Sequence, residues 1–256
     1  MSDVVVPRPA APAATHARMR PAPTGWSPSR VGGGLVLGAW ATLFWFLLLS
    51  GRDNLYLSTR TSWVVPVGAA LLSAASLGRL ASARVRAPEP LGRREAWILG
   101  AMVLPVVLVL ALPPATLGSF SAGKRAGFAA SGVATPLGDI GTGQLTLIDV
   151  AAAQTTKQGE TALAKRAGEA VGFVGFVTRY ADTPADEFLL SRYIVTCCVA
   201  DATIAQVRVV NVTPGAFAAN QWVEVKGTIY PLGREVIVNA SSVASVPRPS
   251  RPYLTP

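Results

Sequence analysis

The most chemically distinctive residues of this chain lie together in its C-terminal half. Cys197 and Cys198 are the only two cysteines, and Asp201 follows them closely. Thiolates select soft or borderline metals such as zinc or copper(I), and a carboxylate can add an oxygen ligand. Two thiols and one carboxylate make an incomplete site, so a further ligand would have to come from a partner. The segment is therefore a candidate zinc or copper(I) site.

Three interpretations of this cysteine pair stay open at the sequence level. Neighbouring residues on a regular strand point to opposite faces, so Cys197 and Cys198 could hold one ion only at a bulge or a strand end. A disulfide between them needs a strained eight-membered ring, unlike ordinary bridge geometry. In the structural interpretation, one cysteine is a small buried hydrophobe and the other lies at a surface or contact.

Catalytic constellations are scarce in the rest of the chain. The only histidine, His16, lies in the N-terminal tail, which excludes a Ser-His-Asp triad or a histidine-based metal site in the C-terminal domain. Three acidic residues flank Pro184 and are typical of a solvated turn, namely Asp182, Asp186 and Glu187. Three aromatic residues could stack a ligand on a barrel face, although core packing or a protein interface is the favoured interpretation: Phe176, Tyr193 and Trp222. We therefore expect a protein that is not an enzyme.

The net charge of +9 is unevenly distributed. Between residues 145 and 256, ten Lys or Arg residues face nine Asp or Glu residues, so the C-terminal half is nearly neutral. The surplus lies in the N-terminal tail and beside the apolar segments. Nucleic-acid binding would place the charge on the folded domain, so no nucleic-acid partner is expected. Basic residues next to apolar segments instead set membrane orientation or contact anionic lipid headgroups.

Three apolar segments predict transmembrane helices, at about residues 31–50, 63–80 and 96–112. An Ala/Pro-rich tail, residues 1–30, precedes them and is expected to be disordered. A linker over residues 113–143 leads to a C-terminal domain over residues 144–248, followed by a short tail over residues 249–256.

The positive-inside rule orients these helices. Arginines concentrate in the tail and around the second loop. Those around the second loop are Arg79, Arg84, Arg86, Arg93 and Arg94. The first loop carries only Arg52 and Arg60. This asymmetry predicts a cell-membrane protein (plasma or inner membrane) with a cytoplasmic N-terminus and an extracytoplasmic C-terminal domain.

Short strand patterns fill the C-terminal domain. The candidates are residues 170–180, 187–198, 204–210, 221–230 and 235–246, and one short helix is expected at about 159–167. The first candidate is apolar on both faces, and its Gly172 and Gly175 suggest a sharp bend or a bulge. Five or six such strands favour a small OB-like Greek-key barrel, with a sandwich as the alternative.

Two segments carry a resemblance to a known family. Arg192 to Ala202 (RYIVTCCVADA) and Trp222 to Tyr230 (WVEVKGTIY) are similar to the C-terminal domain of a bacterial family of two-component membrane permease subunits. The Gly172-Phe173-Val174 strand entrance and the Pro252-Tyr253 ending fit as well. The positions that carry over, without an established role, are Arg192, Cys197, Cys198, Asp201 and Trp222. The simplest layout in that family has two helices, whereas this chain has three.

The resemblance implies a larger polytopic permease as partner. We therefore expect a non-enzymatic accessory subunit of a membrane permease complex, whose extracytoplasmic barrel gates the partner or delivers solute to it. Two other functions stay open. The first is a membrane-anchored metal-binding or thiol-redox module using Cys197 and Cys198, and the second is a scaffold for another envelope protein.

Overall fold

The computed structural model describes residues 24–86, 88, 90–112, 117–125, 140 and 143–256. Three helices are long and apolar enough to cross a membrane: α1 (Pro28–Leu49), α2 (Val64–Ala81) and α3 (Arg93–Ala111). At 1.5 Å per residue they are about 27 to 33 Å long, close to the roughly 30 Å of a bilayer's hydrocarbon core. The three predicted helices are confirmed within a few residues at each end.

Small residues bring α1 and α2 into close contact. A Cβ added to Gly34 would lie 2.8 Å from the Leu80 side chain, and one added to Gly38 would lie 3.1 Å from the Ser76 hydroxyl. That hydroxyl is buried and donates a hydrogen bond to the Gly34 carbonyl at 2.8 Å. The GxxxG spacing of α1 thus serves as a helix-contact face.

Among the described helices and strands, α1 is the one with which α3 makes repeated contact. Pro105 lies inside α3 and removes one helical hydrogen bond. One turn away, the Trp40 indole donates a hydrogen bond to the Met102 carbonyl at 3.0 Å. Trp40 therefore ties α1 to α3 within the apolar layer.

A two-stranded antiparallel ribbon joins the segment before the N-terminus of α1 to the segment after the C-terminus of α2. It consists of β1 (Thr24–Trp26) and β2 (Arg84–Arg86). The ribbon begins inside the tail that was predicted to be disordered through residue 30, so that boundary was wrong over residues 24–30. The remainder of the predicted tail lies outside the described residues. Backbone pairing, extended by the bond from Ser27 N–H to the Ala83 carbonyl at 2.8 Å, orders these residues.

The C-terminal domain is a closed five-stranded barrel, as predicted. Its strands are β3 (Ala170–Thr178), β4 (Phe188–Ile194), β5 (Thr203–Val210), β6 (Trp222–Leu232) and β7 (Glu235–Ser245). They pair in the order β3-β4-β5-β7-β6, with β6 returning to β3. Only β5 and β7 run parallel. This Greek-key closure matches an OB-type barrel and excludes the sandwich.

The strand register bears on the bend or bulge predicted at Gly172 and Gly175. Strand β3 pairs with β6 without interruption from Ala170 to Phe176, so no bulge occurs at Gly172 or Gly175. The register shift instead lies between Lys226 and Gly227. There, a Cβ on Gly227 would lie 2.2 Å from the Asn239 carbonyl oxygen, which only glycine tolerates.

Alternate residues of each strand fill the barrel, including Phe173, Val177, Leu190, Val207, Val225 and Val238. Two short helices close onto this core, where one was predicted: α5 (Leu147–Ala153) and α6 (Lys157–Ala164). The additional helix begins with a capping box, in which Thr146 and Asp149 exchange hydrogen bonds.

A second apolar cluster covers the outer wall of β3, β4 and β5. It contains Phe176, Tyr193, Ile204, Tyr253 and Ala122, the last of which belongs to a short helix α4 (Ser119–Arg125). Part of the predicted linker is therefore helical and packed, and the rest of it lies outside the described residues apart from 117–118, 140 and 143. The barrel core covers one face of β3 and this second cluster covers the other. This burial on both sides accounts for the apolar residues on both faces of the strand.

The last residues also belong to the folded domain. Leu254 pairs with β4, accepting a hydrogen bond from Val195 N–H at 2.9 Å and donating one to the Tyr193 carbonyl at 2.8 Å. Backbone pairing and burial of Tyr253 hold the end of the predicted tail, residues 249–256, on the barrel.

Candidate functional site

The cysteine segment lies where the barrel meets the helical region. Strand β4 ends at Ile194, and residues 196–199 then run beside residues 56–61 of the α1–α2 loop. Leu57 and Cys198 form an isolated antiparallel bridge. We call these two paired segments the joint.

Hydrogen bonds from the loop satisfy the backbone of the cysteine segment. The buried Ser58 hydroxyl donates to the Thr196 carbonyl at 2.7 Å, and the Thr61 hydroxyl donates to the Cys197 carbonyl at 2.6 Å. Two backbone bonds flank them, from Ser58 N–H to the Cys197 carbonyl at 3.1 Å and from Val199 N–H to the Tyr56 carbonyl at 2.9 Å. The α1–α2 loop and the barrel therefore lie at the same end of the helices, and the β1–β2 ribbon lies at the other end.

Asp201 closes the same turn from the barrel side. Its two carboxylate oxygens accept hydrogen bonds from Thr196 N–H at 3.1 Å and Cys197 N–H at 2.7 Å. Partial burial acts to raise the pKa of Asp201, but hydrogen bonds from the Cys197 thiol and from backbone N–H groups outweigh it and lower that pKa. Asp201 is therefore an anionic cap on the cysteine turn.

The two thiols face each other at this turn. The strand ends before them, so the alternation of a regular strand does not separate them, and their sulfur atoms lie 3.7 Å apart. Cys197 is exposed, and Cys198 is half-buried. A hydrogen bond to Asp201, followed by one to Cys198, raises the pKa of Cys197 to about 11. In this arrangement Cys197 is a neutral thiol at physiological pH.

The structure thus brings together the three residues proposed as metal ligands. Within the described ranges, no group of three or more His, Cys, Asp and Glu side chains is arranged to hold a metal ion. Asp201 already accepts backbone hydrogen bonds, which leaves two thiols as the available donors. The zinc or copper(I) site stays a prediction that needs an outside ligand and deprotonation of Cys197.

Arg192 and Trp222 lie apart from the thiols, on the outer wall of the barrel. The Arg192 guanidinium donates to the carbonyls of Pro252 at 3.1 Å and Arg251 at 3.0 Å. It also lies 5.7 Å from the centre of the Trp222 ring. Of the five family-pattern positions, Arg192 therefore holds the C-terminal segment against the barrel, Trp222 packs beside Arg192 and Phe176, and the other three form the cysteine turn.

An open polar groove of about 340 Å³ lies elsewhere on the barrel surface, along β4, β5 and β7. Its central cation, Arg208, forms ion pairs with Glu187, at 2.8 Å, and with Glu235. Glu187 therefore belongs to a charge network rather than to a free solvated turn. A second arginine of its lining, Arg234, lies 3.7 Å from Glu160, so both arginines of the groove have carboxylate partners.

Sequence reasoning missed the loop half of the joint. Ser58, Thr59, Thr61 and Ser62 form a hydroxyl-rich run, which signals local turns and caps. Nothing in that run identifies acceptors more than 130 residues away, so only the three-dimensional fold reveals the pairing with Thr196 and Cys197.

We expect the double substitution Ser58→Ala and Thr61→Val to loosen the joint. Each loses a hydrogen bond worth about 1 to 1.5 kcal/mol, so amide exchange at Val199 should accelerate roughly 30-fold or more. Hydrogen-exchange mass spectrometry of the solubilised full chain measures this rate. Ser62→Ala is the matched control, because its hydroxyl donates only to the nearby Thr59 carbonyl. Equal exchange rates at Val199 in the double variant and in Ser62→Ala would show that the Ser58 and Thr61 hydroxyls do not hold the joint.

We expect Asp201→Asn to make Cys197 more reactive. Removing the carboxylate removes the main cause of the raised pKa, so the thiolate should form at lower pH. The measurement is the pH profile of iodoacetamide alkylation in a Cys198→Ala background, where the midpoint should move down by about one pH unit. Asp182→Asn, in a distant loop, should leave the profile unchanged. An unshifted profile for Asp201→Asn would contradict the proposed thiol–carboxylate bond.

Comparison with known proteins agrees with the barrel boundaries. No curated protein matches the chain. A protein-family model described as the DUF1980 C-terminal domain matches residues 140–256, which include α5, α6, all five barrel strands and the cysteine turn. The C-terminal part of this chain is therefore similar to a domain family defined without an assigned function.

Proposed function

We propose that this chain is a non-enzymatic accessory subunit of a membrane permease complex. Its helices dock on a larger polytopic partner, and its barrel lies at the extracytoplasmic mouth of that partner to gate it or to deliver solute. The resemblance of the cysteine and Trp222 segments to permease subunits supports the partner class. The joint is the observation that carries the proposal, because it fixes a folded domain against the ends of membrane-spanning helices.

The helices themselves support an accessory role rather than a transport path. In the three described spans, charged side chains occur only in the terminal turns, at Arg30, Arg79, Arg93, Arg94 and Glu95. A path for a polar solute normally places polar or ionisable groups near the middle of the membrane. A polytopic partner would supply those groups.

The position of the joint supports one arrangement relative to the membrane. Three spans leave the barrel and the α1–α2 loop on the side opposite the ribbon. The arginines concentrate at the ribbon end, and the positive-inside rule assigns that end to the cytoplasm. The barrel then lies outside, where a solute would first meet the complex.

A metal-binding or thiol-redox module is the second candidate function. The specific observation in its favour is the 3.7 Å separation of the two sulfur atoms at an accessible turn. Such a pair can bind a soft metal ion once deprotonated and once a further ligand is provided. The two functions differ in whether the cysteines are required.

Sidedness is testable with single-cysteine reporters in a Cys197→Ala, Cys198→Ala background. Ala219→Cys lies on the exposed barrel surface, and Thr24→Cys lies on the exposed face of the ribbon. In intact cells, a membrane-impermeant maleimide should label the barrel reporter, and the ribbon reporter should react only after permeabilisation. The reversed pattern would place the barrel in the cytoplasm and remove the proposed role at the outer mouth.

Partner identity is testable by affinity purification of the full chain in mild detergent, followed by mass spectrometry and metal analysis. We expect a stoichiometric polytopic membrane protein, retained when Cys197 and Cys198 are both changed to alanine. The double-alanine variant should also carry the same metal content as the unchanged protein.

Other outcomes decide among the remaining functions. Loss of stoichiometric zinc or copper in the double-alanine variant, without a polytopic partner, would favour the metal module. A soluble or single-span envelope protein as the main companion would favour a scaffold. Either result would overturn the permease-subunit proposal.

A further inference from the structure

We propose that the ribbon end of the helices, together with the outer face of α3, forms a binding site for one anionic phospholipid. The cationic end would bind the headgroup, and a groove along α3 would hold one acyl chain. This inference does not depend on the proposed permease partner.

The ribbon presents its arginines on one face. In an antiparallel pair, residues directly opposite each other share a face, and here Trp26 pairs with Arg84 and Thr24 with Arg86. All four side chains are exposed, whereas Gly25 and Val85 between them are partly buried. The Arg84 guanidinium lies 5.2 Å from the centre of the Trp26 ring. This face therefore combines two cations with an aromatic ring, a combination common at membrane interfaces.

Arginines at this end lack balancing carboxylates within the part of the chain that the structure describes. The group comprises Arg30, Arg79, Arg84, Arg86, Arg93 and Arg94, and the five ion pairs found among described residues all lie in the C-terminal domain. The nearby acid, Glu95, accepts a hydrogen bond from Ser29. The end thus carries a net positive charge that an anionic headgroup would balance.

A groove of about 480 Å³ begins at this cationic end and runs along α3. Arg93, Trp97, Gly100 and Leu104 line it at the spacing of one helix face, and Ala96 and Ala101 complete its walls. Arg93 supplies its cation, and its other lining residues are apolar apart from the indole N–H. From Arg93 to Leu104, the groove spans about 16 Å at 1.5 Å per residue.

This length identifies the occupant. One leaflet of hydrocarbon is about 15 Å thick, half of the roughly 30 Å core. The groove therefore matches the length of one acyl chain below a headgroup, and Arg93 at its start provides the charge that an anionic headgroup would balance. Pro105 follows immediately, at the depth where the leaflet ends.

The groove opens away from α1. The opposite face of α3 contacts α1, where a Cβ on Gly32 would lie 2.8 Å from Leu99 and where Trp40 bonds to Met102. Trp97 on the groove side is 73% exposed. An exposed indole one turn below Arg93 is suited to the region between headgroups and acyl chains.

The test is lipid retention by the full chain, reconstituted in nanodiscs of phosphatidylglycerol and phosphatidylcholine, re-extracted in mild detergent and analysed by native mass spectrometry. We expect one phosphatidylglycerol to remain bound in preference to phosphatidylcholine. Arg93→Gln should reduce that retention about fivefold, as should Gly100→Leu, which fills the groove.

Matched controls separate this site from the general lipid shell. A Cβ at Gly100 or at Gly78 of α2 meets no atom within 4 Å, so both leucine variants are expected to fold. Gly78→Leu, on α2, and Arg52→Gln, in the α1–α2 loop at the end opposite the ribbon, should retain phosphatidylglycerol normally.

Three outcomes would overturn the proposal. Retention that is unchanged in Arg93→Gln and Gly100→Leu would remove the site. Equal loss in Gly100→Leu and Gly78→Leu would indicate a non-specific lipid shell. Loss of a co-purified protein from Gly100→Leu with lipid retained would assign the groove to a partner helix.

Discussion

The arrangement of this protein depends on satisfying the backbone groups that are released where β4 ends. Thr196 and Cys197 leave the barrel ladder with unpaired carbonyls and N–H groups near the ends of the membrane helices. Each hydrogen bond that such groups form within the protein contributes about 0.5 to 1.5 kcal/mol of stability. Hydroxyls of Ser58 and Thr61 pair with the carbonyls, and Asp201 pairs with the N–H groups. Two parts of the chain that share no core are thereby held together by polar contacts of defined direction.

Coverage of the barrel wall limits what the domain can bind. OB-type barrels commonly bind oligonucleotides or oligosaccharides on the face formed by their second and third strands, here β4 and β5. In this protein Tyr253, α4 and the joint occupy part of that wall. Arg192, the cation that could serve a ligand there, is bonded to the carbonyls of the chain's own C-terminal segment. The open groove around Arg208 lies on a part of the barrel surface that these segments leave uncovered.

Local patterns predicted the elements of this fold and missed the contacts between them. Apolar length predicted three helices, and short strand patterns predicted all five strands, with clean alternation in residues 221–230, because both signals reside in neighbouring residues. The boundary at residues 24–30 was wrong, and the attachment of residues 249–256 to the barrel had no sequence signal, since short segments at both places are ordered by pairing with distant strands. The cysteine turn was recognisable from residue type, yet its partner loop was not, because hydroxyl groups carry no sequence mark of the carbonyl they will meet. Gly227 shows the same limit, since its need for glycine arises from the Asn239 carbonyl across the sheet.

The joint also links the two candidate functions physically. Asp201 stabilises the cysteine turn as an anion, and the same carboxylate raises the pKa of Cys197 by accepting a hydrogen bond from its thiol. Metal binding or oxidation requires the thiolate, which places a second negative charge beside Asp201. Relief of that repulsion requires a cation, or displacement of Asp201 from the N–H groups that it caps. Chemistry at the thiols would therefore act on the contact that positions the barrel, so a metal ion or oxidant bound there would alter how firmly the barrel is held at the ends of the helices.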